Sequence, residues 1–247
     1  MGNSSGAGRQ RGASRDPGDA GIWPYALPYL AFGVVLALRD EIGAGAGGAL
    51  AVAQVALPAA LLAFFAARGA FPELARFRPS AGEALADVAL GLAIAALWMG
   101  PYLWIEALPR PGPEAAFDPD ALGGRAVTLA LRFAGFALVT PFMEELFVRS
   151  FLLRYLDVVF DADADFREIP IGRFAWLGFC GTVVWFTVTH QPWEWIVAAP
   201  TGIALNLWLY RRRHLGSVVL SHAVANATIF GWVVLRAGTH PDLWIFL

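Results

Sequence analysis

Apolar residues in this chain fall in long runs rather than in the short alternations of a half-buried strand or helix. The runs cover residues 22–38, 49–67, 88–105, 126–143, 174–189, 195–210 and 215–235. A helix needs about 20 apolar residues to cross the hydrocarbon layer, and these runs approach that length. They predict an all-α, polytopic bundle of about seven membrane helices, with room for an eighth element in the linkers. Polar stretches separate them. Residues 1–20 are rich in Gly, Ser and Arg and predict a disordered cytoplasmic tail. The remainder, 21–247, reads as a single transmembrane domain. The first run ends in Arg39-Asp40-Glu41 with no small-residue cleavage site before it, so it is expected to stay as a span. Residues 106–125, Pro- and acid-rich, predict an outer loop; 157–173 predict an acidic inner loop. Gly43 and Gly47 make a small-residue spacing that suits helix packing.

Composition narrows the class. The chain has 247 residues, 57% hydrophobic and 15% charged, with a net charge of −2. Its mean hydropathy is +0.55. Disorder and nucleic-acid binding do not fit that balance. The single cysteine, Cys180, leaves no disulfide scaffold, Cys-based zinc site or iron–sulfur cluster, and is expected to pack as a small apolar residue. All 18 basic residues are arginine, which removes lysine Schiff-base chemistry. Placed on the predicted topology with the N-terminus inside, twelve arginines fall in inner segments and four in outer ones. The bias sets the N-terminus in the cytoplasm of a cell whose inner membrane holds the protein.

The remaining two arginines, Arg132 and Arg149, belong to the fourth run. Ionisable groups cost about 2.5–3.5 kcal/mol at the centre of a membrane helix, so they mark function by default. Three clusters stand out. In Glu144-Glu145-x-x-x-Arg149, at the inner end of the fourth span, Glu145 and Arg149 are i and i+4 and can pair. Glu144 is turned about 100° away and is free to act as a base. In Phe186-x-x-x-His190 the two rings share a face. In His222-x-x-x-Asn226 two polar side chains point the same way from a buried helix. Together they supply groups able to deprotonate water and to stabilise an oxyanion. His-Glu-x-x-His, Gly-x-Ser-Gly and Gly-x-Gly-Asp, the marks of other intramembrane proteases, are absent. Arg132, Glu194 and Asn206 are weaker candidates: a loop-acid partner or outward reach for Arg132, the cavity mouth for Glu194, an interhelical bond for Asn206.

These three motifs, in this order and each on its own apolar helix, resemble the CPBP family of CAAX-processing and bacteriocin-processing-type intramembrane proteases, also called Abi or Rce1-like. The resemblance covers about 125–235, the expected catalytic core. From the fifth span onward the chain is also similar to an exosortase- and PEP-CTERM-associated subfamily. The resemblance implies an intramembrane endopeptidase in which Glu144 activates water with His190, His222 and Asn226 hold the oxyanion, and Glu145 and Arg149 orient the site. It implies a protein or peptide substrate at the membrane and a partner in protein-sorting machinery. It implies no cofactor; if zinc is bound, Glu144, His190 and His222 would be its ligands. The same residues also suit a non-enzymatic scaffold or transport path. One geometric demand follows: the simple spans put Glu144 and His222 toward the inner side and His190 toward the outer. Convergence therefore predicts that the turn at 190–195 dips into the membrane, with Pro192 breaking the helix.

Overall fold

The computed structural model describes residues 21–42, 47–75, 77–112, 116–161 and 163–247. The predicted tail 1–20 and the Gly43 end of the small-residue spacing lie outside the described residues. Among the described residues there is no strand, and the helices follow the apolar runs. They are α1 (Trp23–Ile42), α2 (Gly47–Ala67), α3 (Ala81–Trp104), α4 (Arg125–Val158), α5 (Trp176–Val188), α6 (Trp195–Arg212) and α7 (Leu215–Arg236). By length and composition α2, α3, α4 and α7 can cross a membrane, whereas α5 is apolar but short.

The fourth helix corrects the sequence reading. Its 34 residues run on to Val158, well past the expected end at Met143. The charges of Glu144, Glu145, Arg149 and Arg154 had masked the continuation. Between them Leu146, Phe147, Val148, Phe151 and Leu153 are buried and keep the helix in the core. The glutamate pair therefore sits near the middle of α4, not at its inner end. The turn after α5 packs on the last part of α3: the Tyr102 hydroxyl donates to the Trp193 carbonyl, the rings of those two residues lie 5.2 Å apart, and the His190 ring lies 5.2 Å from Trp98.

Two π-helical stretches, Ala134–Val139 and Leu146–Leu152, interrupt α4. Each widens the backbone ring by a residue and leaves carbonyls out of the regular ladder, a device often found at functional sites. The first packs on α7 and α2, the second on α1, α5 and α7. Helix α3 lies along α7, α1 along α2, and α5 along α6. The α3–α7 contact is close because Gly91 has no side chain: a Cβ there would stand 2.5 Å from the Ser221 carbonyl oxygen, next to His222. The Ser221 hydroxyl donates to the Asp87 carbonyl at 2.9 Å in the same contact.

Two polar clusters fasten the end of the bundle away from that turn. Asp87, fully buried, accepts from Trp208 Nε1 at 2.8 Å and Arg212 Nε at 3.1 Å. Arg212 also reaches Glu83 at 2.7 Å, while Glu83 closes the capping box with Ser80 that starts α3. Separately, Ser150 and Arg154 on α4 engage Glu73 in the α2–α3 loop. Cys180 departs from expectation: it lies exposed on α5 rather than packed.

Candidate functional site

The site is built on the middle of α4. Glu145 and Arg149 are both fully buried and pair through Oε1 and Nη1 at 3.1 Å. A buried pair gains from further hydrogen bonds, although Glu145 Oε2 and Arg149 Nη2 have none among the described residues. Here Arg149 Nε donates to Asn206 Oδ1 at 3.3 Å, and Asn206 Nδ2 donates to Thr182 Oγ1 at 2.9 Å. The Phe186 ring lies 4.6 Å from the guanidinium carbon, giving it a cation–π face. Asn206 thus bonds across helices, linking α4, α5 and α6.

The same Glu145 Oε1 accepts from His222 Nδ1 at 2.7 Å. A carboxylate already holding Arg149 can only accept, so Nδ1 carries the proton and Nε2 is the working nitrogen. That nitrogen points toward Glu144, whose Oε2 stands 4.0 Å away. This exceeds hydrogen-bond length, and Glu144 Oε2 is buried with no partner among the described residues. The two neighbouring glutamates differ in their bonding. Glu145 is bonded twice through Oε1, with Oε2 unpartnered among the described residues, whereas Glu144 Oε2 has no bond and stands across from an imidazole.

Asn226, one turn further along α7, donates through Nδ2 to the Phe136 carbonyl at 2.7 Å. The backbone explains why that oxygen is available. In the π stretch the Thr140 N–H goes back to Gly135. The residue in register with Phe136 is Pro141, which has no N–H to give. One N–H of the Asn226 amide is spent on this acceptor; the other is free to serve a ligand.

His190 stands beyond the end of α5. Its Nδ1 bonds the Phe186 carbonyl at 2.5 Å, an acceptor only, so Nδ1 carries the proton and Nε2 the lone pair. Its ring lies 5.2 Å from Trp98 and 4.5 Å from Phe186; Phe186 in turn is 6.4 Å from the His222 ring. Phe186 thus neighbours both imidazoles, and among the described residues neither bonds the other. Glu194 accepts the Gln191 N–H at 3.1 Å and caps the turn. Burial pushes its carboxyl above the ordinary carboxylate range, with the charge of His190 opposing. Arg132 makes no ion pair among the described residues; it lies over the Phe117 and Phe136 rings.

The structure adds neighbours that the motifs do not name. Tyr29 of α1 stacks on Phe147 at 4.4 Å, and the Glu144 charge acts on its hydroxyl. Trp98 of α3 walls His190. Neither had a distinguishing sequence signal, since both sit among ordinary apolar positions. An apolar groove of about 310 Å³ opens between α2 and α4, lined by Leu62, Ala66, Phe142 and Leu146 among others.

A zinc ion on Glu144, His190 and His222 fits this arrangement poorly. No group of three such ligands gathers among the described residues. No step below is routed through a metal.

No curated protein and no solved structure matches the chain. Residues 126–228 match the family model of type II CAAX prenyl endopeptidase, Rce1-like. That segment runs from the second residue of α4 past Asn226, so it contains every residue of the three motifs. Over that segment, a little under half of the chain, this multi-pass membrane protein is similar to the CAAX-protease (CPBP) family.

Proposed function

We propose that the protein is a glutamate-type intramembrane endopeptidase that hydrolyses a peptide bond of a membrane-associated protein. The observation that carries this reading is the unpartnered Glu144 oxygen facing His222 Nε2, with His222 held from behind by the Glu145–Arg149 pair. Glu144 takes a proton from water as the oxygen attacks the scissile carbonyl carbon. His190, with its Nε2 lone pair, assists in positioning that water. The oxyanion is met by the free Asn226 N–H and by His222 when Nε2 is protonated. Collapse of the tetrahedral intermediate breaks the C–N bond, and Glu144 returns its proton to the leaving amine. Glu145 fixes the tautomer and the ring orientation of His222, as the acid of a catalytic triad does. The groove beside Phe142 and Leu146 suits an apolar portion of the substrate. The arginine distribution supports an N-terminus on the cytoplasmic side of the inner membrane, and a sorting-machinery partner fits this placement.

The test is processing of a membrane-anchored reporter by purified protein in bilayers. Wild type is expected to cleave and Glu144→Gln to lose cleavage while keeping its melting temperature. Full processing by folded Glu144→Gln and His222→Ala would show a scaffold instead.

A further inference from the structure

Behind the reacting face of the site, the enclosed polar atoms with no hydrogen-bond partner among the described residues include Glu145 Oε2, Arg149 Nη2, both oxygens of Asp157 and the Tyr210 hydroxyl. Buried groups of this kind are normally paired, with protein or with ordered water. Their places in the helices line up. Glu145, Arg149 and Asp157 are i, i+4 and i+12 on α4, and Asn206 and Tyr210 are i and i+4 on α6. The half nearer the site is joined by bonds already described, from Arg149 to Asn206 and from Asn206 to Thr182; the Thr182 hydroxyl then donates to the Gly178 carbonyl at 2.7 Å. Gly178 makes room for the other half. A Cβ there would stand 2.9 Å from Asp157 Oδ1 and 2.6 Å from the Leu153 carbonyl oxygen. The charges of Asp157 and Arg149 both act on the Tyr210 hydroxyl, which links the two halves.

Exposure changes in one direction along this seam. Glu145, Arg149, Thr182 and Asn206 are fully buried, Tyr210 and Asp157 are partly buried, and beyond them Asp161, Asp163 and Asp165 of the α4–α5 loop are exposed. The charge that acts on Asp157 is that of Arg173 in the same loop, and among the described residues no hydrogen bond or ion pair joins the two. Leu153, fully buried on α4 between Arg149 and Asp157, flanks the seam. Ionisable side chains inside a membrane bundle mark polar pathways. We propose that α4, α5 and α6 enclose a hydrated seam from Asp157 to the Glu145–Arg149 pair, and that the site draws its hydrolytic water through it. The rise from Arg149 to Asp157 is about 12 Å, the span of about four hydrogen-bonded waters. Such waters donate to Asp157 and to Glu145 Oε2, accept from Arg149 Nη2, and do either with the Tyr210 hydroxyl. The use made of the water rests on the proteolytic reading; the hydration of the seam does not.

The probe is water itself. Millisecond X-ray pulses on the full chain in bilayers generate hydroxyl radicals from water in place, and mass spectrometry reads which side chains they label. Tyr210 is expected to be labelled about ten-fold faster than Tyr102, whose hydroxyl is bonded to the Trp193 carbonyl. Phe186, which lies over Arg149 at the inner end of the seam and is 2% exposed, should be labelled faster than Phe65 of α2, which is 8% exposed. Asp157→Leu should slow labelling of both Tyr210 and Phe186 and lower kcat with KM unchanged, whereas Asp157→Asn should retain the labelling. Tyr210 and Phe186 labelled no faster than Tyr102 and Phe65 would overturn the inference, as would fast labelling that persists in folded Asp157→Leu. Labelling lost in Asp157→Leu with kcat intact would disconnect the seam from the reaction and overturn it as well. A wild type that shows the labelling pattern but cleaves nothing would sink the proteolytic reading alone.

Discussion

Two polar regions of this bundle are both built from buried carboxylates and arginines, and they are organised differently. At the fastening around Asp87, every charge is answered. Asp87 takes Trp208 and Arg212, and Arg212 also takes Glu83, half of which is exposed. At the middle of α4 the network stays partly open. Glu145 Oε1 is bonded by Arg149 and His222, while Glu145 Oε2, Arg149 Nη2 and the neighbouring Glu144 Oε2 have no partner among the described residues. A satisfied network holds helices together; open polar atoms held in place by bonded neighbours are left to meet a ligand.

The comparison can be broken most sharply at Glu144. Glu144→Gln is expected to lower processing by about 10²–10⁴-fold with the thermal melt unchanged; a large loss of stability would mean that this glutamate is structural. Next comes Arg149. Replacing it by Met strips one partner from a sealed pair and should destabilise by about 3–5 kcal/mol, read as a lower melting temperature. Asn226→Ala is expected to cost about 10²–10³-fold in turnover, measured on folded protein. Gly91→Ala pushes a methyl against the Ser221 carbonyl and should cost about 1–3 kcal/mol, with activity falling as α7 shifts. Smallest is Glu83→Gln at the Asp87 fastening. Its partly exposed pair with Arg212 is worth no more than about 1 kcal/mol, so both the melt and the activity should barely move.

The helix set was legible because long apolar runs carry their own signal, and the ends of α5, α6 and α7 fell within two residues of expectation. The end of α4 was not, because hydropathy cannot separate a helix that stops at charges from one that buries them. The i, i+4 pairing of Glu145 with Arg149 was readable from spacing. That His222 would bond Glu145, rather than face an empty site, depended on how α7 packs on α4, which no local pattern encodes. Asp87 lay just before the apolar run that was read as a span, so its burial was hidden by a boundary. Phe186 was read as sharing a face with His190, and the two rings lie 4.5 Å apart; its contact with the Arg149 guanidinium depended on helix packing and was not readable.

Pro141 gives the Phe136 carbonyl a second use. A backbone acceptor is normally spent before a side chain can reach it, and here one missing hydrogen atom leaves it unspent. Any other residue at 141 would restore an N–H able to compete for that oxygen, loosening Asn226 without touching any atom of the three motifs. The alignment of the Asn226 amide is thus set by a subtraction in the main chain. A search among polar side chains alone would pass over the proline that controls it.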